Sequence, residues 1–248
     1  MSINISNRLK FFLSHLSISL LIALLVIGLV FFVWYPAPLA QAVGVAQIFV
    51  MMLAIDVIIG PVLGLLVYKE GKKTLKFDLS VIIIIQIAAL CYGIFSIEQG
   101  RPAWLVFHGD RFELIRKNEI VYQNITQAKP QFQQVSWLKP QYVAIQSSKD
   151  LKQRNDDMFA EIMGGISIAQ RPERYVDFAQ AKEQIQKRAQ NLDLLNQYND
   201  KINVEKILSK YPKATAFVPL KANAVDMTVL INKEKGEVVK IVDLRPWN

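Results

Sequence analysis

Hydrophobic positions in this chain follow two regimes. Up to residue 97 they form three nearly unbroken runs: FFLSHLSISLLIALLVIGLVFFVWY (11–35), AVGVAQIFVMMLAIDVIIGPVLGLLVY (42–68) and LSVIIIIQIAALCYGIFSI (79–97). A helix needs roughly 20 apolar residues to cross a hydrocarbon core, so each run is predicted to span a membrane. Beyond residue 97 the apolar residues come in short strand-length runs and helically spaced sets with polar residues between them. The pattern divides the chain into a transmembrane domain, 1–97, and a soluble α+β domain, 98–248. The second is long enough to bury its own core.

In the second domain AWLVF and RFELI read as strands joined at His108-Gly109-Asp110, a hairpin signal. EIVYQNI extends this meander. Residues 150–163 and 173–200 change character. In the latter, Tyr175, Phe178, Ala181, Ile185, Ala189, Leu192 and Leu195 recur at helical spacing and predict one amphipathic helix. A shorter helix is predicted over 204–211, stopped by Pro212. Three strand-like runs follow, TAFVPL, DMTVLIN and EVVKIVDL, the last two joined by a hairpin at 233–236. Strands, then helices, then strands predict an antiparallel sheet backed by helices.

Punctuation inside the spans adds detail. Pro36 and Pro38 separate spans one and two, and Gly60-Pro61 interrupts span two. Gly60 and Gly64 form a small-xxx-small face suited to close helix approach. One carboxylate, Asp56, lies near the middle of span two, and Gln86 is the polar side chain in the middle of span three. Inserting an acid at that depth costs at least about 2.5 kcal/mol, so Asp56 is expected to face protein rather than lipid. Counted from the same side, Asp56 and Gln86 differ in depth by roughly 6 Å, within reach of a hydrogen bond or one bridging water. Asp56 has three readings: a structural group bonded to Gln86 or to backbone freed by Pro61, a recognition site for a partner helix, or a proton-handling group.

Charge orients the spans. The chain carries a formal net charge of +8. The basic residues of the first 97 positions are Arg8 and Lys10 before span one, and Lys69, Lys72, Lys73 and Lys76 between spans two and three. The positive-inside rule places both segments in the cytoplasm. The uncharged PAPLAQ (36–41) then lies on the far side, and span three delivers residues 98–248 to the periplasm or exterior. Ala40-Gln41-Ala42 resembles a signal-peptide cleavage site, but a run of about 25 apolar residues exceeds the 7–15 of a typical signal core. An uncleaved span is preferred, with Trp34 and Tyr35 as an interfacial aromatic anchor. Arg101-Pro102 and Trp104 read as the same kind of anchoring where span three ends, or as an elbow orienting the soluble domain. The single cysteine, Cys91, lies in span three, so the soluble domain has no disulfide.

Several chemistries find no support. Two histidines, His15 and His108, and one cysteine do not supply an ordinary zinc site. Phosphate-loop, dinucleotide and nucleophile-elbow motifs are absent. Glu173, Asp177 and Glu183 read as a solvated helix face, and basic residues are interleaved with acids, which disfavours a nucleic-acid surface. No catalytic, cofactor or metal residue is assigned. A transport subunit or a membrane-tethered modifying enzyme is the alternative class; the first lacks a second intramembrane acid or a histidine chain, and the second lacks a cluster of carboxylates at metal- or donor-binding spacing.

The matching residues Tyr35-Pro36, Pro38-Leu39, Asp56, Gly60-Pro61, Lys72-Lys73, Lys76-Phe77-Asp78-Leu79, Gln86, Tyr92-Gly93, Arg101-Pro102 and Asp110-Arg111-Phe112 resemble the type IV pilin accessory protein family, of the TfpX/TfpZ type. The likeness runs through residues 7–115. It implies a multi-pass protein of the bacterial inner membrane, without enzyme activity, that assists surface assembly of a cognate major pilin in a chaperone-like manner. Other pilus assembly proteins are further implied partners. Together with the residue reading it makes Asp56, Gly60, Pro61, Gly64, Gln86 and Arg101 the candidate pilin-binding residues.

Overall fold

A computed structural model describes residues 6–145 and 150–247. The chain divides into two compact units. One comprises Met1–Val33 with Val45–Gln99, the other Trp34–Gly44 with Gly100–Asn248.

The membrane unit holds three helices long and apolar enough to cross a bilayer: α1, Asn7–Trp34; α3, Val45–Val67; and α4, Leu75–Gln99. Between the first two lies a single short helix, α2, Leu39–Val43. Ser6 caps α1, its hydroxyl accepting from the Leu9 N–H at 3.3 Å. Much of the surface of these helices is apolar and uncovered, with Leu25, Leu66 and Ile84 each about two-thirds exposed, as lipid-facing positions require. Arg8 Nε donates to the Leu65 carbonyl at 2.7 Å, tying the start of α1 to the end of α3. The turn before α4 is closed by Lys72 on Asp78 at 2.6 Å. Two stretches are π-helical, Leu29–Trp34 and Ile55–Ile59.

The C-terminal unit is built on a seven-stranded sheet, ordered β4-β3-β1-β2-β5-β6-β7. Its strands are β1, Pro102–His108; β2, Arg111–Arg116; β3, Gln141–Ile145; β4, Tyr175–Asp177; β5, Ala216–Lys221; β6, Met227–Asn232; and β7, Glu237–Val242. The β1–β2 and β6–β7 hairpins fall where the sequence places them. The sheet is mixed rather than antiparallel: β3 runs parallel to β1, and β5 parallel to β2. Both parallel strands arrive after long connections, which free the chain from the reversal a short hairpin imposes. Among the described residues three α-helices accompany the sheet: α5, Leu151–Gly164; α6, Lys182–Arg188; and α7, Lys201–Leu208.

Two local expectations are corrected. EIVYQNI is not a strand: Glu119 folds back to accept from the Arg116 N–H at 2.9 Å, forming a single turn, and Ile120 drops into the core. Residues 173–200 are not one helix. Tyr175 enters β4, where its hydroxyl donates to the Ala169 carbonyl at 2.5 Å and its ring packs on Trp104. Ala189 turns extended so that Gln190 can exchange two backbone bonds with Phe217, at 2.8 and 3.0 Å. The helical spacing of apolar residues survives, but sheet pairing overrides it.

Residues 34–44, of which the sequence reading gives 36–41 to a loop and the rest to the ends of spans one and two, join this second unit. Leu39 and Ala42 are buried in the main sheet cluster with Leu105, Phe112 and Ile231. The Ala42 carbonyl accepts from the Ala224 and Val225 N–H groups at 2.9 and 3.2 Å. Gly44 ends α2 at a φ of 80°, and a Cβ there would sit 2.9 Å from that of Ala224. The anchoring role expected of Trp34, Tyr35, Arg101 and Trp104 does not survive, because all four are at most 3 % exposed.

Candidate functional site: an intramembrane polar cluster

The membrane unit brings four polar residues, His15, Ser19, Asp56 and Gln86, to one place, and the cause lies in Gly60-Pro61. In the π-helical turn 55–59 the Gly60 N–H bonds back to the Ile55 carbonyl. The next bond in that pattern would run from residue 61 to the Asp56 carbonyl, but proline has no N–H to give. Gln86 of α4 fills the vacancy, its Nε2 donating to the Asp56 carbonyl at 2.6 Å. The expected Asp56–Gln86 contact therefore exists, through the aspartate's backbone rather than its carboxylate.

This bond fixes the rest of the cluster. A carbonyl only accepts, so the Gln86 nitrogen must face it, and the amide oxygen points the other way. There it lies 2.9 Å from His15 Nε2, which must carry the hydrogen. Gln86 Nε2 also donates to Ser19 Oγ at 3.2 Å. One amide thus joins α1, α3 and α4. His15 and Ser19 were not singled out from the sequence, although their spacing of four puts them on one face of α1. Gly60 makes the arrangement possible, because a Cβ there would overlap the Gln86 carboxamide. Gly64 does the same for α1: its Cβ would lie 2.9 Å from Phe11 and 3.4 Å from the His15 ring.

The six candidate residues separate on this evidence. Gly60, Pro61 and Gly64 are buried, and both glycines face other side chains of this unit. Gln86 is the hub. Arg101 belongs to the C-terminal unit, buried, with its carbonyl accepting from the Lys117 N–H at 2.9 Å. Asp56 is 5 % exposed, and its Oδ1 has no hydrogen-bond partner among the described residues. The same holds for His15 Nδ1. Asp56, His15, Ser19 and Gln86 border a cavity of about 190 Å³ whose other walls are aliphatic, including Leu53 and Leu90. A buried oxygen without a partner costs about 1–3 kcal/mol or more, and a donor entering this cavity would recover it. Among the described residues no group of three or more His, Cys, Asp or Glu is placed to share a metal ion.

The C-terminal unit has a groove of its own, about 560 Å³, walled by Pro36–Leu39, Tyr142 and Phe178 and edged by Lys139, Lys182, Glu237 and Lys240. Burial pushes the Tyr142 hydroxyl up to about 12.

A membrane protein of three apolar helices carrying a mixed-sheet domain is thus defined. Comparison with known proteins gives the family. A family model described as "Fimbrial assembly protein FimB" matches residues 3–44. The chain is 31 % identical over 229 residues to the fimbrial assembly protein of serogroup E1 from Dichelobacter nodosus, covering 88 % of each chain. It is 33 % identical over 180 residues to that of serogroup I, covering 72 % of this chain and 70 % of the relative. A relative named for serogroups C1 and C2 is 36 % identical over 116 residues, 46 % of this chain and 88 % of its own. The chain belongs to the fimbrial assembly protein family, and its role lies in pilus assembly. No solved structure matches it.

Proposed function

We propose that this protein is a non-catalytic accessory of the bacterial inner membrane that binds a cognate type IV pilin and assists its assembly at the surface. Membership of the fimbrial assembly family supports the process. The basic segments at Arg8–Lys10 and Lys69–Lys76 support a cytoplasmic N-terminus and a periplasmic C-terminal unit. The observation that carries the binding reading is the Asp56 carboxylate oxygen Oδ1, buried and without a partner among the described residues at the wall of a largely apolar intramembrane cavity. Gly60 and Gly64 are occupied by the protein's own side chains, so the client's approach is assigned to the Leu53–Leu90 side of the cavity rather than to the glycine face. A pilin helix presenting a donor there satisfies Asp56, while the pilin head meets the groove of the C-terminal unit.

The test is photocrosslinking from residues 53 and 90 in cells expressing the cognate pilin. Pilin adducts at both positions, lost when pilin is deleted, are expected. Capture of other membrane proteins but never pilin would overturn the intramembrane half of the proposal. Normal surface pili in a deletion strain with pilin still expressed would overturn the assembly role.

A further inference from the structure

With Trp34, Tyr35 and Trp104 buried, the C-terminal unit keeps one exposed aromatic side chain in ring contact with the last residue of α1, Trp137. Trp34 is at once the last residue of α1 and the first of the C-terminal unit. Within that unit Trp137 packs edge-on against it, ring centroids 6.0 Å apart and planes at 84°. Trp137 is 60 % exposed and the neighbouring Leu138 57 %. Both project from a turn rooted in the core on its near side, where Phe132 and Val135 join the cluster around Trp104. The Leu138 N–H donates to Ser136 Oγ at 3.3 Å, holding the turn in shape.

Length sets the depth of this turn. The 28 residues of α1 extend about 42 Å at 1.5 Å each. The hydrocarbon core is about 30 Å thick, and about 40–45 Å with its headgroups. The helix therefore reaches into both headgroup layers, and Trp34 ends in one of them. A ring 6.0 Å away lies in or beside that layer, which is itself roughly 5–8 Å deep. An amphipathic ring next to an exposed leucine at that depth has the chemistry that a membrane–water boundary takes up.

We propose that Trp137 and Leu138 form a membrane-docking turn, which seats the C-terminal unit on the headgroup–acyl boundary of the leaflet where α1 ends. The occupant is lipid because the turn is tied by Trp34 to a fixed depth. A second exposed apolar set, Phe159, Ile162 and Met163 on α5, has no such tie and carries no assignment. The docking turn does not depend on pilin and stands whether or not the binding reading above is right.

The experiment uses the full chain in pilin-free nanodiscs of phosphatidylcholine and phosphatidylglycerol. Cys91→Ala removes the native thiol, and Leu138→Cys carries an environment-sensitive fluorophore. Ile202→Cys, on α7 and 76 % exposed, is the reference, and Trp137→Cys is a second probe of the turn. Labels at 138 and 137 are expected to emit to the blue of the label at 202. Nitroxide-bearing lipids are expected to quench them several-fold more strongly. Equal emission and quenching at all three positions would overturn the proposal. So would protection at 138 that appears only after pilin is added, which would assign the turn to a protein partner.

Discussion

Asp56 in the membrane unit and Asp157 in the C-terminal unit are buried to a similar degree, at 5 % and 8 % exposure, yet they are treated differently. Asp157 Oδ1 accepts from Arg171 Nη1 at 3.3 Å and Arg174 Nη2 at 2.9 Å, so two cations share it. Asp56 has its backbone carbonyl served by Gln86, while Oδ1 has no partner among the described residues. In the first case the fold neutralises the acid it buries. In the second it spends its one available amide on the main chain and keeps the carboxylate oxygen open. On the binding reading proposed above, that difference separates an acid that holds a structure together from one that meets a client.

The comparison can be broken most sharply at Gly60. Gly60→Val pushes into Gln86 and should cost the membrane unit about 3 kcal/mol, the upper end of overpacking penalties, read as a fall in the unfolding midpoint in detergent. Asp157→Ala leaves two partly buried guanidinium groups without their shared acceptor. It should cost about 2 kcal/mol, less than for a fully enclosed pair because both arginines keep some solvent, measured by denaturant unfolding of the C-terminal unit's signal. Asp56→Asn should change stability by less than about 1 kcal/mol. Surface pili should nonetheless fall about tenfold at unchanged protein level, the equivalent of one lost charge-assisted bond of about 1.4 kcal/mol. Equal stability losses for the two aspartate variants would erase the distinction drawn here.

The smallest effect is in alkali. Tyr142 holds its proton up to about 12 because it is buried, whereas an unfolded tyrosine releases it near 10. The folded state therefore binds the proton more tightly. The stability this contributes is fully present below about pH 10 and is lost as pH rises through about 12. Tyr175, also raised by burial, adds to the same decline. Tyr142→Phe should flatten the loss of unfolding midpoint between pH 10 and 12, and an unchanged slope would count against the assignment.

How much of this could be read from residue order depends on the range of the cause. The three spans and both hairpins were legible because each is set by local composition: long apolar runs, and Gly109 and Gly236 at positive φ in the turns. β3 and the breakup of 173–200 were not, since Gln190 leaves its helical pattern only to pair with Phe217, a distant strand. At the site, Asp56 and Gln86 stood out as lone polar residues in apolar runs. His15 and Ser19 did not, because a histidine and serines scattered through the first half of α1 look like an ordinary span. What joins all four is the missing N–H of Pro61, whose effect on the Asp56 carbonyl becomes visible only once the local helix type is known.

The placement of Leu39 and Ala42 in the sheet cluster has a consequence for how the molecule is made. Synthesis delivers residues 34–44 before α3 and α4, and the strands that surround them come only afterwards. The early segment must wait beyond the bilayer with its apolar side chains uncovered while two more spans are inserted. A fragment beginning at Gly100 would emerge with an empty socket in its sheet face, so cutting away the membrane helices removes part of the other unit's interior. The two spans inserted meanwhile act as a timer on closure of that core, and an arrest in membrane insertion would show itself first as misfolding outside the membrane.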